Sequence, residues 1–235
     1  MNHVERAVIM AAGRGERMRP VTLETPKPLV RVNGVRMIDT VIRGLHRNGV
    51  TEIYAVVGYK KEQFSCLERE YPGLRLIENP WYDTCNNISS LYAAREHLEN
   101  AMILDGDQMI WDDSVLAPDF ERSGYNAVWT DEPTKEWLLT VENDAVTGCS
   151  RTGGAHGWQL YSISRWSAGD GRRLRRHLEI EFEEKKNRDL YWDDVALFRY
   201  PGAYSLGVRP MDRGAVTEID DLAELAAVDP SYASI

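Results

Sequence analysis

Apolar and amphipathic runs alternate along the first half of the chain. Ala7-Val-Ile-Met-Ala11 is an uninterrupted apolar run that predicts a buried strand, ending in a glycine loop. Met37, Ile38, Val41, Ile42 and Leu45 recur at helical spacing, and Gly49 follows as a C-terminal stop. The same alternation predicts a strand at Ile53–Val57, a polar helix over 60–71, a strand at Leu74–Ile77, a helix over 88–98 and a strand at Ala101–Leu104. Strand and helix in this order predict an α/β fold, with a Rossmann-like, mostly parallel central sheet covered by helices on both faces.

The second half changes character. Short strands are expected at Ala127–Trp129, Leu138–Val141, Ala145–Cys149 and Trp158–Ile163, and Trp129 and Trp158 read as core within them. The charged stretch 170–188 reads as a solvated helix face carrying i,i+4 pairs. A helix over 189–198, strands at Tyr204–Val208 and Ala215–Ile219, and a closing helix over 221–228 complete the pattern. No repeat or Pro/Gly-rich linker interrupts it, so a single domain over 1–235 is expected.

Composition narrows the partners. The 235 residues carry 28 Lys and Arg against 37 Asp and Glu, a formal net charge of −9, which argues against nucleic acid. Any anionic ligand must therefore meet a local concentration of cations. Cys66, Cys85 and Cys149 are scattered and lack metal or disulfide spacing. No run approaches a membrane span, and the short apolar run after Glu5 is no secretory leader, so a cytoplasmic protein without membrane contact is expected.

The local cations lie in one loop. Met10-Ala-Ala-Gly-Arg-Gly-Glu-Arg-Met-Arg-Pro20 leads into Thr25-Pro-Lys-Pro-Leu29. Small residues at Ala11, Ala12, Gly13 and Gly15 let backbone N–H groups approach an anion, and Arg14, Arg17, Arg19 and Lys27 supply charge. No Gly-Lys-Ser/Thr follows, which excludes a P-loop, and no third glycine follows, which excludes the dinucleotide fingerprint. The loop reads as the triphosphate cradle of an enzyme that handles a nucleotide; were the reaction nucleotidyl transfer, positioning and charge neutralisation would do most of the work. Lys27 would act as a point charge near the α-phosphate and the acceptor phosphate, its approach fixed by Pro26 and Pro28, while Arg17 would clamp the departing pyrophosphate.

Asp107 lies just beyond the strand at Ala101–Leu104, at the carboxyl edge where open α/β sheets bind ligands, and Asp220 follows Ala215–Ile219 in a similar position. Each could instead serve a turn or a helix cap. Asp105 reads as orienting the loop. Asn87, Ser89 and Ser90 lie at a helix start, where capping is the competing role. Aromatics flanked by acids, Trp137 with Glu136 and Tyr191 with Trp192 between Asp189 and Asp193, offer the surfaces that bind a quaternary ammonium; Trp192 equally fits a buried helix face.

With these residues in place the chain resembles the bacterial CTP:phosphocholine cytidylyltransferases of the nucleoside-triphosphate transferase family. The likeness is carried by Ala11-Ala-Gly-x-Gly-x-Arg17, Thr25-Pro-Lys27, Val57-Gly-Tyr-x-Lys-Glu-Gln-Phe64, Tyr82-x-x-x-Asn86-Asn-x-x-Ser-Leu-Tyr92, Asp105-x-Asp107, Glu136-Trp137, Asp189-Leu-Tyr-Trp-Asp193 and Glu218-Ile-Asp220. The resemblance implies CTP as nucleotide, Mg²⁺ held by Asp107 and Asp220, and cytosine near Asn87, Ser89 and Ser90. It implies an acceptor, phosphocholine or a related aminoalkyl phosphate or phosphonate, held by Tyr82, Glu136, Trp137, Asp189, Tyr191 and Trp192. It divides the domain into a nucleotide-binding half over about 1–125, a smaller mixed α+β acceptor-binding subdomain over about 126–205, and returning strands and a helix over 206–235. The rival activities are transfer to 2-aminoethylphosphonate or phosphoethanolamine, transfer to a sugar 1-phosphate, and a non-catalytic nucleotide-sensing role. Oligomeric state is left open.

Overall fold

The computed structural model describes residues 1–234. Strands β1 (Arg6–Ala11), β2 (Glu52–Val57), β3 (Leu74–Glu78) and β4 (Ala101–Asp105) lie parallel in the spatial order β3-β2-β1-β4. The chain then leaves the sheet for a short strand β5 (Gln108–Ile110) and returns as β6 (Gly124–Thr130), the hairpin β7 (Leu138–Glu142) and β8 (Ala145–Ser150), and the long β9 (Gly157–Trp166). β9 runs antiparallel to β4, β6 and the start of β7, so it joins the parallel half of the nine-stranded sheet to the mixed half. β10 (Gly207–Pro210) adds to β6 in parallel, and β11 (Val216–Glu218) pairs with β5 as a separate two-stranded ribbon.

The apolar run of β1 is explained by burial on both sides. Ala7, Ile9 and Ala11 pack in one cluster with Ile38, Val41, Ile42 and Leu45 of helix α1 (Met37–Arg47). After α2 (Ser65–Glu70), the other face is covered: Val8 and Met10 pack with Ile88 and Leu91 of α3 (Ile88–Ala93) and with Leu174 and Leu178 of α4 (Ala168–Glu179). A strand sandwiched this way has no polar face to show, which is the mark of a parallel sheet. A third cluster, built on Met18, Met37, Met109, Ile219 and Leu225, seats α5 (Leu222–Val228) against the N-terminal loop. No helix among the described residues is long and apolar enough to cross a membrane.

Several elements differ from expectation. The helix over 60–71 opens with a 3₁₀ turn at Lys61–Phe64, and the one over 88–98 is cut short at Ala93, followed by a 3₁₀ turn at Arg95–His97. The charged stretch forms α4 with the expected Arg175–Glu179 pair, but it continues into a π-helical turn, Ile180–Glu184, in which Glu181 is fully buried. There the carboxylate accepts from Lys185, Asn187 and Tyr200 at 2.6, 2.6 and 2.9 Å, so Glu181 leaves the solvated face on which Glu183 and Glu184 remain. The strand expected from Tyr204 begins at Gly207, because Tyr204 and Leu206 turn into the core.

The most consequential difference is at 189–198. The chain has no helical structure through Trp192, and only 193–199 coil, ending in a π-helical turn. Trp192 is 1% exposed and packs against Tyr125 and Trp166 at ring distances of 6.1 Å each. It is core rather than acceptor-binding. Trp129, by contrast, is 45% exposed, its indole N–H bonded to Asp131, and is not core. Trp192→Ala is expected to cost about 3–5 kcal/mol in urea unfolding, the range for emptying a buried aromatic site; a loss below about 1 kcal/mol would contradict the core position.

Candidate active site

The site grows from the loop after β1. Gly15 has φ of +61°, and a Cβ there would stand 2.9 Å from Cβ of Lys27 and 3.0 Å from Cγ2 of Thr22. Only glycine combines that backbone with that approach. Thr22 Oγ1 donates to Gly15 O at 2.8 Å, and Pro26 and Pro28 flank Lys27 at the start of a 3₁₀ turn, Lys27–Leu29. The loop is thereby folded back so that Lys27, 7% exposed, is held beneath it.

The carboxylates come from the β5–β11 ribbon. Gln108 pairs with Glu218, so Asp107 and Asp220 flank the same end of the ladder. Gly106 lets the Asp-Gly-Asp turn pass β1, since a Cβ there would lie 3.1 Å from Ile9 and 3.2 Å from Ala11. Lys27 Nζ lies 2.6 Å from Asp107 Oδ2 and 2.8 Å from Asp220 Oδ1, and Arg17 reaches Asp220 Oδ2 at 3.1 Å. Four side chains from distant parts of the sequence thus meet at one point. Burial works against the Lys27 charge, but Asp107 and Asp220 outweigh it and the ammonium titrates above its ordinary value. Burial likewise opposes the Asp220 charge, and Lys27 and Arg17 pull its carboxyl below the usual range. Asp220 is free for this because Asp221 caps α5, accepting from Glu224 N at 2.9 Å.

Three cavities adjoin the cluster. A cleft of about 320 Å³ is walled by Ala11, Gly13, Gly15, Arg17, Lys27, Asp107 and Asp220. A smaller pocket of about 180 Å³, sharing Gly13, is walled by Ala12, Asn79, Tyr82, Asn87, Ser89 and Ser90. A second cavity of about 320 Å³, sharing Arg17, Asp107 and Asp220, is walled by Asp105, Glu136, Trp137, Leu160, Ser162, Tyr191, Asp193 and Glu218, and it also touches Asn87. Trp137 and Tyr191 meet edge to face at 5.7 Å and 82°.

Most of the expected residues fall on these walls, and four do not play the expected part. Arg14 is exposed, ion-paired with Asp83 and absent from all three walls. Asp189 is exposed and lines none of them; only its carbonyl is used, accepting from Asn86. Trp192 is interior, as described. Tyr82 belongs to the small pocket beside Gly13, on the nucleotide side rather than with Trp137. Ser89 lines that pocket, but its hydroxyl is already engaged, accepting from Asn79 at 2.9 Å and donating to Asn86 O at 2.8 Å. Asn87 caps no helix; its Oδ1 accepts from Trp192 N at 2.8 Å.

Asn79, Ser162, Asp193 and Glu218 were missed as site residues. Asp193 and Glu218 sit inside the motifs quoted above, whereas Asn79 and Ser162 carry no local signal. Burial, reinforced by the charge of Asp194, pushes the Asp193 carboxyl up to about 7. Burial, with Asp107 and Asp220 adding, does the same to Glu218, also to about 7. Asp105 is raised well above its ordinary value by burial and by Asp107. Six carboxyl groups and one arginine line the Trp137 cavity, which suits a cation.

A family model matches the part of the chain that carries the glycine loop, Lys27 and Asp107. The MobA-like NTP transferase domain aligns with residues 7–161. The chain belongs to this nucleotidyltransferase family. The transferase is 40% identical to a 2-aminoethylphosphonate cytidylyltransferase of Lancefieldella rimae over 96% of this chain and 92% of that one. It is 32% identical to the choline-phosphate cytidylyltransferase of Streptococcus pneumoniae over 93% and 94%. The solved structure of the pneumococcal CTP:phosphocholine cytidylyltransferase superposes with a TM-score of 0.90 at 31% identity, covering 97% of this chain and 99% of that one. The resemblance read from the motifs therefore holds along the whole chain.

The raised Asp193 carboxyl gives a stability prediction. The native state keeps this proton up to about pH 7, whereas the unfolded chain releases it near pH 4, so its contribution to stability declines as pH rises through that window. Asp193→Asn should therefore gain Tm relative to the parent as pH goes from 4 to 7, by on the order of a few degrees, with no further change above. An offset that is the same at pH 4.5 and pH 8 would count against a buried, proton-retaining carboxyl.

Proposed function

We propose that the transferase moves CMP from CTP to phosphocholine, giving CDP-choline and pyrophosphate. The observation that carries this is the junction at Arg17, Asp107 and Asp220, where the basic loop cleft opens directly onto an acidic cavity with an aromatic wall. An acceptor whose ammonium lies against Trp137 and Tyr191 can direct its phosphate toward Lys27. A quaternary ammonium has no N–H to donate and is held by π faces and carboxylate charge. The small pocket at Ala12, Asn87 and Ser90 is of a size for a pyrimidine.

In the reaction an acceptor phosphate oxygen attacks the α-phosphorus of CTP. The new P–O bond forms as the α–β bond breaks, and the electron pair leaves with pyrophosphate. Lys27 balances charge on the two phosphates being joined, and Arg17 takes the leaving group in its planar fork. Asp107 and Asp220 are the residues suited to Mg²⁺. Their oxygens converge on one cation, the Lys27 ammonium, at 2.6 and 2.8 Å. Two carboxylates leave the remaining ligands of such an ion to phosphates and water. When bound, Mg²⁺ would neutralise phosphate charge. A cytoplasmic location accords with a nucleotide substrate and three free thiols.

A second acceptor, 2-aminoethylphosphonate, is favoured by one observation. Asp193 lines the cavity, and its buried Oδ1 has the Tyr125 hydroxyl facing it but no close hydrogen bond among the described residues; a primary ammonium could donate to it where choline could not. Steady-state kcat/KM for the two acceptors with CTP decides between them. Phosphocholine is expected to lead by about tenfold or more, the discrimination a fitted methyl cage can supply. A lead for the phosphonate installs the second reading, turnover of glucose 1-phosphate with UTP or dTTP a sugar transferase, and nucleotide binding with no pyrophosphate release for any acceptor a sensor. In the same assay Lys27→Ala should lower kcat/KM by about 10²–10³, the usual scale for removing one charge-stabilising donor; a loss of only a few-fold would sink the role given to Lys27.

A further inference from the structure

Behind the aromatic wall of the acidic cavity lies an ion pair that touches none of its surface. Arg151 stands just past β8, and its guanidinium carbon lies 4.1 Å from the ring centre of Phe198 and 5.6 Å from that of Trp137. Those two rings are themselves 5.7 Å apart at 83°, so the cation fills the corner they make. The other end of the guanidinium bonds to Asp194 Oδ1 at 2.5 Å. Asp194 is 1% exposed, and its second oxygen accepts from the backbone N–H of Tyr191 at 3.0 Å.

One cation therefore bears on both halves of the wall. Through its π contact it bears on Trp137, which comes from the β7–β8 hairpin side. Through Asp194 it bears on the backbone of Tyr191, which comes from the segment after α4. The Trp137–Tyr191 edge contact at 82° is the product of two elements joined at this point. Asp194 is buried but the Arg151 side chain is 45% exposed, so solvent screens the attraction and the pair is a poor source of net stability. Its distinctive contribution is geometry: a planar fork and a ring face constrain direction where apolar packing would not.

We infer that the Arg151–Asp194 pair is a positioning device that sets the angle of the Trp137/Tyr191 corner and thereby the affinity for the acceptor's ammonium group. This rests on the functional reading above, in which that corner receives the acceptor. Neither residue lines the cavity, so both act through others.

The test uses the full-length enzyme carrying 5-fluorotryptophan, with the Trp137 resonance assigned by its loss in Trp137→Phe. In Arg151→Met the Trp137 signal of the ligand-free protein should shift or broaden. KM for the acceptor should rise about three- to fivefold, the scale of a lost cation–π contact at a half-exposed site, with kcat and KM for CTP unchanged. Arg151→Lys keeps the charge on Asp194 but not the fork and should fall between parent and Arg151→Met on both readouts. Asp194→Asn, which keeps an acceptor for Tyr191 but not the ion pair, should raise acceptor KM in the same selective way. An unmoved Trp137 signal in Arg151→Met overturns the proposal. So does a fall in kcat and a rise in both KM values together with a lowered Tm, which would mark the pair as structural only. If the parent uses neither amine-bearing acceptor, the functional reading fails on its own, and the fluorine signal alone decides whether the pair sets the corner.

Discussion

The site turns on a single buried ammonium. At 7% exposure Lys27 could not stay charged alone, and the aspartates it meets could not lie this close together without a cation between them. Each partner is the condition for the other. The rest of the local structure keeps them in register: Gly15 admits the lysine stem, two prolines stiffen its turn, and the β5–β11 ladder brings residues 107 and 220 to one end. A triphosphate arriving without a cation would have to draw Lys27 and Arg17 from the aspartates and leave those two facing each other. The charge balance of the cluster therefore suits a nucleotide that comes with a divalent ion, which matches the role proposed for Asp107 and Asp220.

Which parts of this could be read from residues alone follows from how local each signal is. The N-terminal loop is legible because its constraints lie within a few positions: glycines, prolines and a cation on one turn. The strand-end aspartates are legible because a parallel sheet presents its carboxyl ends at one edge. The stretch 189–198 departs from the expected helix because it does not coil before Asp193. In a non-helical segment neighbouring side chains can point to opposite sides, so Tyr191 is 48% exposed at the cavity, while Trp192 is buried with Tyr125 and Trp166. On a helix Asp189 and Asp193 would share a face; here Asp193 lines the cavity and Asp189 faces solvent. Asn79 and Ser162 were beyond reach for another reason. Ser162 owes its place to Asp105, far along the chain, whereas Asn79 bonds to the nearby Trp81, Ser89 and Ser90 but belongs to no recognisable motif.

The distribution of charge ties the two halves together. The overall excess of acid, −9, is the background against which one loop must attract phosphates, and Arg17 and Lys27 do this only over a short range. The same excess is concentrated in the neighbouring cavity, where six carboxyls face one arginine. Burial in this half-enclosed space, with Asp194 adding for Asp193 and Asp107 and Asp220 for Glu218, makes Asp193 and Glu218 hold their protons to about pH 7. A cationic group entering the cavity would lower those values, releasing protons and strengthening its own attraction. An anionic group would have the opposite effect and be turned toward Lys27 instead. A small molecule with an ammonium at one end and a phosphate or phosphonate at the other is therefore oriented by the electrostatics of the cavity before any specific contact forms, and the aromatic corner need only judge how its nitrogen is substituted.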